Sequence, residues 1–340
     1  MTIRVAVGQF KHITDEDLSF AAQIGVSGIT FNQPDFDTPQ WRTTLGRHGP
    51  DPGADTTPPP YFAFMDLVRL RTMIESYGLK LEAIENVPGR YMDKIKLGLP
   101  GRDVQIENYK TLIRNLGAAG IPVLGYNFNL TRVWRTNRAE PGRGGARNTA
   151  FDLDLATRAP NIYAERITAE QVWDNYRYFI EAVLPEAERS GVRMALHPDD
   201  PPVPELGGVA RVMINLDGFK RAMMFGDSDA HGLDFCMGTW SEGGIETMFE
   251  AMEHFGRQKK LVYLHFRNVK GCLPTFTEAF IDEGDIDVVR AIRLLRDVDF
   301  DGFIIDDHVP VMAGDSPWGH RGRAYSTGFI KGLVRAIEAG

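Results

Sequence analysis

Cysteine is scarce in this chain, with only Cys236 and Cys272 in 340 residues. Two thiols cannot build the disulfide framework of a small secreted scaffold, and in a reducing compartment such a cysteine is more often reactive or metal-bound. Long apolar runs are missing too, since no stretch approaches the roughly 20 apolar residues of a membrane span. The opening MTIRVAVGQF has no basic segment followed by an apolar run. It therefore reads as a first strand rather than a signal peptide, and a cytoplasmic location is expected. Positive charge is in deficit: 38 Lys and Arg against 46 Asp and Glu give a formal net charge of -8. Phosphate backbones are held by cations, so this balance disfavours a nucleic-acid partner while leaving room for a small anion met by a local cluster. There is no G-x-S-x-G elbow, and the glycines at Gly142–Gly145 lack the spacing and strand-to-helix setting of a dinucleotide fingerprint.

What is present is the composition of an ordinary globular protein, 43% hydrophobic and 25% charged. Short β-branched runs alternate with longer amphipathic stretches, the pattern of βαβ units around a parallel sheet. Eight such runs occur: Ile3–Gly8, Gly28–Asn32, Leu81–Asn86, Val123–Asn127, Val192–His197, Leu233–Gly238, Leu261–Phe266 and Phe303–Asp306. Helical patterns between them include Asp66–Tyr77, Gln105–Ala119, Ala169–Ser190, Ile245–Phe255 and Asp287–Arg296, with Gly78, Gly120 and Gly191 placed as C-terminal caps. The expectation is an α/β fold, a (β/α)8 TIM barrel forming one catalytic domain over residues 1–340. At roughly 42 residues per unit the chain exceeds a lean barrel, whose βαβ units need about 30. The excess falls in two loop-like insertions, 35–60, rich in Pro, Gly and Thr, and 131–158, rich in Arg and Gly. Loops of this length serve as lids or subunit contacts, so a homo-oligomer, a dimer or larger, is expected.

Four residues of metal-ligand type stand at or just past the C-terminal ends of predicted strands: His197, Cys236, His265 and Asp307, at intervals of 39, 29 and 42 residues. Each interval is about one βα unit, so the four would come from strands five to eight and meet at the barrel mouth, where barrel active sites lie. Taken singly, each has an ordinary structural explanation; four at one register of consecutive strands do not. Two imidazoles, a thiolate and a carboxylate suit Fe(II), Mn(II), Co(II) or Zn(II) rather than Ca or Mg. His308 follows Asp307 on a chain leaving the strand, so it either faces a substrate as acid or base or holds Asp307. Asn86, Tyr126 and Asn127 at the ends of strands three and four, with Asp229, His231 and Arg267, are candidates for substrate binding; for the first three, plain turn formation is the alternative. Arg132, Arg135, Arg138, Arg143 and Arg147 make a basic insertion that either meets a carboxylate or serves as a solvated or subunit-bridging loop.

Long segments also resemble the mannonate dehydratase family: ENVP at Glu85–Pro88, KLGLPGRD at Lys96–Asp103, IENYK at Ile106–Lys110, NLGAAGIPVLGYNFN at Asn115–Asn129, ALHPDDPP at Ala195–Pro202, HFRNV at His265–Val269 and the pair Asp307–His308. The resemblance implies a Mn(II)- or Fe(II)-dependent loss of water from D-mannonate, a small sugar acid, to give 2-keto-3-deoxy-D-gluconate. It implies the same four ligands and an acid/base role for His308. The family's Gly-Tyr near the C-terminus is here Gly319-His320, with Tyr325 five residues on, so His320 and Tyr325 are both candidates for the second proton transfer. A metal-dependent sugar or sugar-acid isomerase or epimerase on the same barrel, or a dehydratase of another aldonate, is the alternative.

Overall fold

The computed structural model describes residues 3–46 and 61–339. Eight strands form its centre. The first, β1, is broken at Ala6 into Arg4–Val5 and Val7–Phe10; the others are β2 (Gly28–Asn32), β3 (Lys80–Glu85), β4 (Val123–Tyr126), β5 (Arg193–Leu196), β6 (His231–Cys236), β7 (Leu261–His265) and β8 (Phe303–Ile305). Each pairs in parallel with the next. The two pieces of β1 close the ring, Arg4–Val5 on β8 and Val7–Phe10 on β2. Between them the Ala6 N–H donates to Ile304 O at 2.9 Å. The predicted barrel is the observed fold, with strand ends shifted by one or two residues.

Eight helices follow the strands: α1 (Asp15–Gln23), α2 (Phe64–Glu75), α3 (Arg102–Ala118), α4 (Ala169–Ser190), α5 (Leu216–Met224), α6 (Ile245–Arg257), α7 (Val288–Asp297) and α8 (His320–Ala339). Their ends follow local rules. Thr14 with Asp17, and Thr168 with Gln171, form reciprocal capping boxes at the starts of α1 and α4. Gly191 ends α4 at φ 65, the left-handed region glycine enters without strain. The large apolar cluster lies between sheet and helices, and a smaller one containing Ala6, Ala83, Ala195, Tyr263, Phe303 and Ile305 fills the barrel.

The insertion at 131–158 departs from the expected loop. Asn137–Pro141 and Arg147–Asp152 pair antiparallel, and with Asn268–Cys272 and Thr275–Ala279 from the chain after β7 they form a four-stranded sheet. The sequence misleads there because Arg and Gly are poor strand formers, and the apolar contact holding the sheet, Phe151 on Phe276 at 5.4 Å between centroids, joins segments more than a hundred residues apart. Of the insertion at 35–60, residues Pro39–Thr44 are helical, while 47–60 lie outside the described residues.

Candidate metal centre at the barrel mouth

Side chains alternate along a strand, so in each barrel strand every second residue points inward. On β4 the inward register includes Gly125, where a Cβ would meet the Tyr263 hydroxyl at 2.3 Å and Glu85 Cγ at 3.0 Å, so only glycine leaves room for those groups. On β3, β5, β6 and β7 the same register carries Glu85, His197, Asp234 with Cys236, and His265.

Donor atoms of His197, Cys236 and His265 lie within 4.8 Å of one another. Asp307, at φ 55, turns its carboxylate to them: Oδ2 is 3.6 Å from Cys236 Sγ and 3.5 Å from His265 Nδ1. His197 bonds its own Nδ1 to Pro198 O at 2.7 Å, which leaves Nε2 free to coordinate. His265 is held the other way round. Its Nε2 meets Glu85 Oε2 at 3.0 Å and Asp234 Oδ1 at 3.3 Å, while Nδ1 is buried without a hydrogen-bond partner. An orphaned imidazole nitrogen between a thiol and a carboxylate, with a carboxylate behind the ring, is the arrangement of a metal-ligating histidine. Burial opposes ionisation of the Cys236 thiol, yet the Arg267 guanidinium and the neighbouring His197 and His265 imidazoles bring it down to about 5. Thr239 adds its N–H and hydroxyl to the sulfur at 3.4 and 3.2 Å. Burial likewise works against the Asp307 carboxylate, but His308, His265 and Arg267 hold it well below the usual range. The residues present therefore fit a divalent cation.

Around this group lies a buried ionic layer invisible to sequence reasoning. Arg267 donates Nε to Asp307 Oδ2 at 2.9 Å and Nη2 to Asp200, Glu242 and Thr239 at 2.9 to 3.0 Å. Arg135, from the insertion, reaches Asp200, Glu242 and Glu278. Arg267, a candidate for substrate binding, is engaged by protein carboxylates from four separate segments with its side chain 1% exposed, and its Nη1 has no hydrogen-bond partner. In the basic insertion, Arg135 and Arg143 also meet protein carboxylates, Arg143 pairing with Asp282 at 2.8 Å.

His308 is at the mouth and a third exposed. Its Nδ1 bonds Glu278 Oε1 at 2.8 Å, and Nε2 stands 3.6 Å from Asp307 Oδ1. Burial alone would lower it; Asp307 and Glu278 raise it to about 9. Glu278 is the residue of this candidate site that the sequence hid most completely, lying on a hairpin with no motif.

The remaining candidates divide. Asn86, at φ 58, accepts from Asn127 Nδ2 at 2.6 Å, and Asn127 Oδ1 accepts from Lys96 Nζ at 2.8 Å, so both asparagines stand at the ends of β3 and β4. Tyr126 points outward, its hydroxyl on Tyr176 of α4 at 3.1 Å and on His231 Nε2 at 3.3 Å. His231 opens β6 and Cys236 ends it, so His231 lies at the opposite end of the barrel, roughly 16 Å away at strand rise. Exposed Asp229 precedes it. These three are not brought to the mouth: His231 and Asp229 open or precede β6 at its N-terminal end, and Tyr126 points at α4. His320 hydrogen-bonds Ser316 at 2.6 Å and faces Asp17 at 3.3 Å, packed on Phe20 and Trp318. Tyr325 is exposed on α8, edge-on to Phe280 and beneath Arg143. Neither contacts the metal-ligand group.

A parallel eightfold barrel with its ionisable residues gathered at the C-terminal ends of the strands defines a TIM-barrel enzyme. The chain matches the D-mannonate dehydratase (UxuA) family over residues 54–160 and 154–340. It is 33% identical over 302 residues to the mannonate dehydratase of Streptococcus suis (strain 05ZYH33), spanning 80% of this chain and 82% of that one. It is 30% identical over 308 residues to mannonate dehydratase 2 of Halalkalibacterium halodurans, at 80% and 87% coverage. The crystal structure of mannonate dehydratase from Streptococcus suis serotype 2 superposes with a TM-score of 0.85 at 29% identity, covering 99% of this chain and 94% of the other. A xylose isomerase domain protein from Planctomyces limnophilus, at TM-score 0.62 and 12% identity, shares the fold. The chain belongs to the mannonate dehydratase family, and it is a hydro-lyase.

Proposed function

We propose that the enzyme removes water from D-mannonate to give 2-keto-3-deoxy-D-gluconate, with one divalent metal, Mn(II) or Fe(II), held by His197, Cys236, His265 and Asp307. The observation that carries this reading is the convergence of those four side chains around an unpartnered His265 Nδ1. Family membership supports the reaction, and the donor set of imidazole, thiolate and carboxylate supports the cation. When bound, the metal supplies Lewis-acid stabilisation of the negative charge that grows at the carboxyl end of the acid.

The C2 proton passes to water at the mouth, its electron pair forms a C2–C3 double bond as the C3–O bond breaks, the C3 oxygen leaves as water with a proton from His308, and the resulting enol relaxes to the 2-keto acid by moving its hydroxyl proton to C3. With Nδ1 committed to Glu278, His308 exchanges protons at Nε2. Held protonated near neutral pH, it suits delivery of a proton to the departing C3 hydroxyl. Asn86 and Asn127 offer amides to substrate hydroxyls. Tyr325, exposed on α8, takes no proton-transfer role in this scheme.

The test is to strip the protein with chelator, reload it anaerobically with Mn(II) or Fe(II), and assay D-mannonate. Metal-dependent formation of a 2-keto-3-deoxy acid is expected. A product of unchanged mass would replace the dehydratase with an isomerase or epimerase, and no product from fully loaded protein would overturn the choice of substrate.

A further inference from the structure

Lys96 lies in the short helix Asp93–Leu97 of the loop that follows β3. Its Nζ donates to Asn127 Oδ1 at 2.8 Å and to Asn129 O at 3.0 Å. An ammonium carries three N–H groups, so one remains. Among the described residues no further acceptor and no carboxylate within 4.0 Å takes it. Asp199 attracts the charge from beyond that range, and its Oδ2 already accepts the N–H groups of Val212 and Met213, each at 3.0 Å. Half-buried cations without a counter-ion are costly unless something polar completes them. Burial accordingly brings the Lys96 ammonium down to about 8.

The position of this group is fixed by the same frame that fixes the metal ligands. Asn127 continues the inward register of Val123 and Gly125 on β4, and its Nδ2 donates to Asn86 Oδ1 at 2.6 Å. Asn86 adjoins Glu85, which holds His265 Nε2 at 3.0 Å. Lys96 is thus tied to the mouth on the side of β3 and β4, facing the ligands carried by β5 to β8. A six-carbon aldonate with its carboxyl end at those ligands has its hydroxyl-bearing tail free to extend toward β3 and β4.

We propose that Lys96 is a specificity-determining residue whose third N–H donates to a hydroxyl oxygen on the end of the sugar acid remote from the carboxylate. This rests on the reading above that a sugar acid occupies the mouth. Two variants, Lys96→Met and Lys96→Gln, are compared with the parent on D-mannonate and on a four-carbon aldonate that lacks the remote hydroxyls. Steady-state kinetics use metal-loaded enzyme; direct binding uses calorimetry in the His308→Asn background. For D-mannonate both variants are expected to lose about 10–100-fold in kcat/KM and in affinity, the effect of removing one hydrogen bond from a charged donor. For the four-carbon acid the parent and variants should agree within about threefold. Equal losses on both acids, or no loss on D-mannonate, would overturn the assignment. If the parent forms no keto acid yet binds D-mannonate in a Lys96-dependent way, the reaction proposed above fails while Lys96 keeps its role. If Lys96→Met does not fold, Lys96→Gln, which keeps a donor toward Asn129 O, decides the matter by the same comparison.

Discussion

Replacing Glu85 by Gln tests the reading of His265 as a ligand aimed from behind. Glu85 Oε2 takes the His265 Nε2 proton at 3.0 Å, and its Oε1 accepts from Gln9 at 2.8 Å and Asn32 at 3.3 Å. The amide of Gln is isosteric, but it must turn an NH2 group toward either the imidazole N–H or the Gln9 and Asn32 donors. One donor–donor conflict results, and the negative charge that favours Nδ1 as an electron donor is lost. Removing such a carboxylate behind a ligating histidine typically weakens metal binding by about 10–100-fold, or roughly 1.4–2.7 kcal/mol. Asp234 Oδ1 stands 3.3 Å from the same nitrogen, without a hydrogen bond in the parent but placed to accept one in the variant, so the single variant belongs near the lower bound, about tenfold. The double variant Glu85→Gln with Asp234→Asn belongs near the upper. Competition against a chromophoric chelator at fixed pH measures the dissociation constant. A Glu85→Gln protein binding Mn(II) within about twofold of the parent would refute the argument, because His265 would then not depend on what stands behind it.

Four further outcomes are expected. His308→Asn should keep its metal while kcat falls by about 10²–10⁴-fold, read from metal analysis alongside the dehydration assay. Arg135→Met removes a cation whose side chain is 1% exposed and leaves Arg267 as the one arginine facing Asp200, Glu242 and Glu278, so urea melts should show a loss of about 3–5 kcal/mol. Metal affinity should fall as pH falls. His197 sits between burial, which lowers it, and Asp234 and Cys236, which raise it to about 10; the proton must leave before Nε2 can coordinate, so each displaced proton costs about tenfold in affinity per pH unit, and proton release on loading is measurable by calorimetry in two buffers. Tyr325→Phe should leave kcat within about threefold of the parent, since the ring is exposed and packs on Phe280 and Arg143.

The barrel was legible because its signal is local. β-Branched runs such as Leu261–His265 and helical periods such as Ala169–Ser190 each declare themselves within a few turns of chain, and the metal-ligand types recur at the βα period. What failed was local too, but of another kind. His231 opens β6 and Asp229 precedes it, so both belong to the N-terminal end of the barrel although they stand close in sequence to Cys236 at the other end. Tyr126 stands at the end of β4 beside Asn127, but its register points it at α4. The ionic layer was out of reach for a different reason. Arg135, Asp200, Glu242, Arg267 and Glu278 come from five segments, and no sequence pattern joins them into one layer.

That layer also explains why the excursion strands exist. A barrel mouth offers only the strand ends and what the loops bring to them, and the four proposed ligands already use the ends of β5 to β8. An acid/base histidine beside them needs a carboxylate fixed on its far nitrogen, and the hairpin Asn268–Cys272 with Thr275–Ala279 delivers Glu278 to that place. Glu278 in turn is held as a buried carboxylate by His308 itself, by Arg135 from the insertion and by Arg267 from the chain after β7. The four-stranded sheet is therefore part of the catalytic mouth in this scheme, and the cost of holding its charges in a buried layer is borne so that His308 presents one nitrogen, in one orientation, beside Asp307.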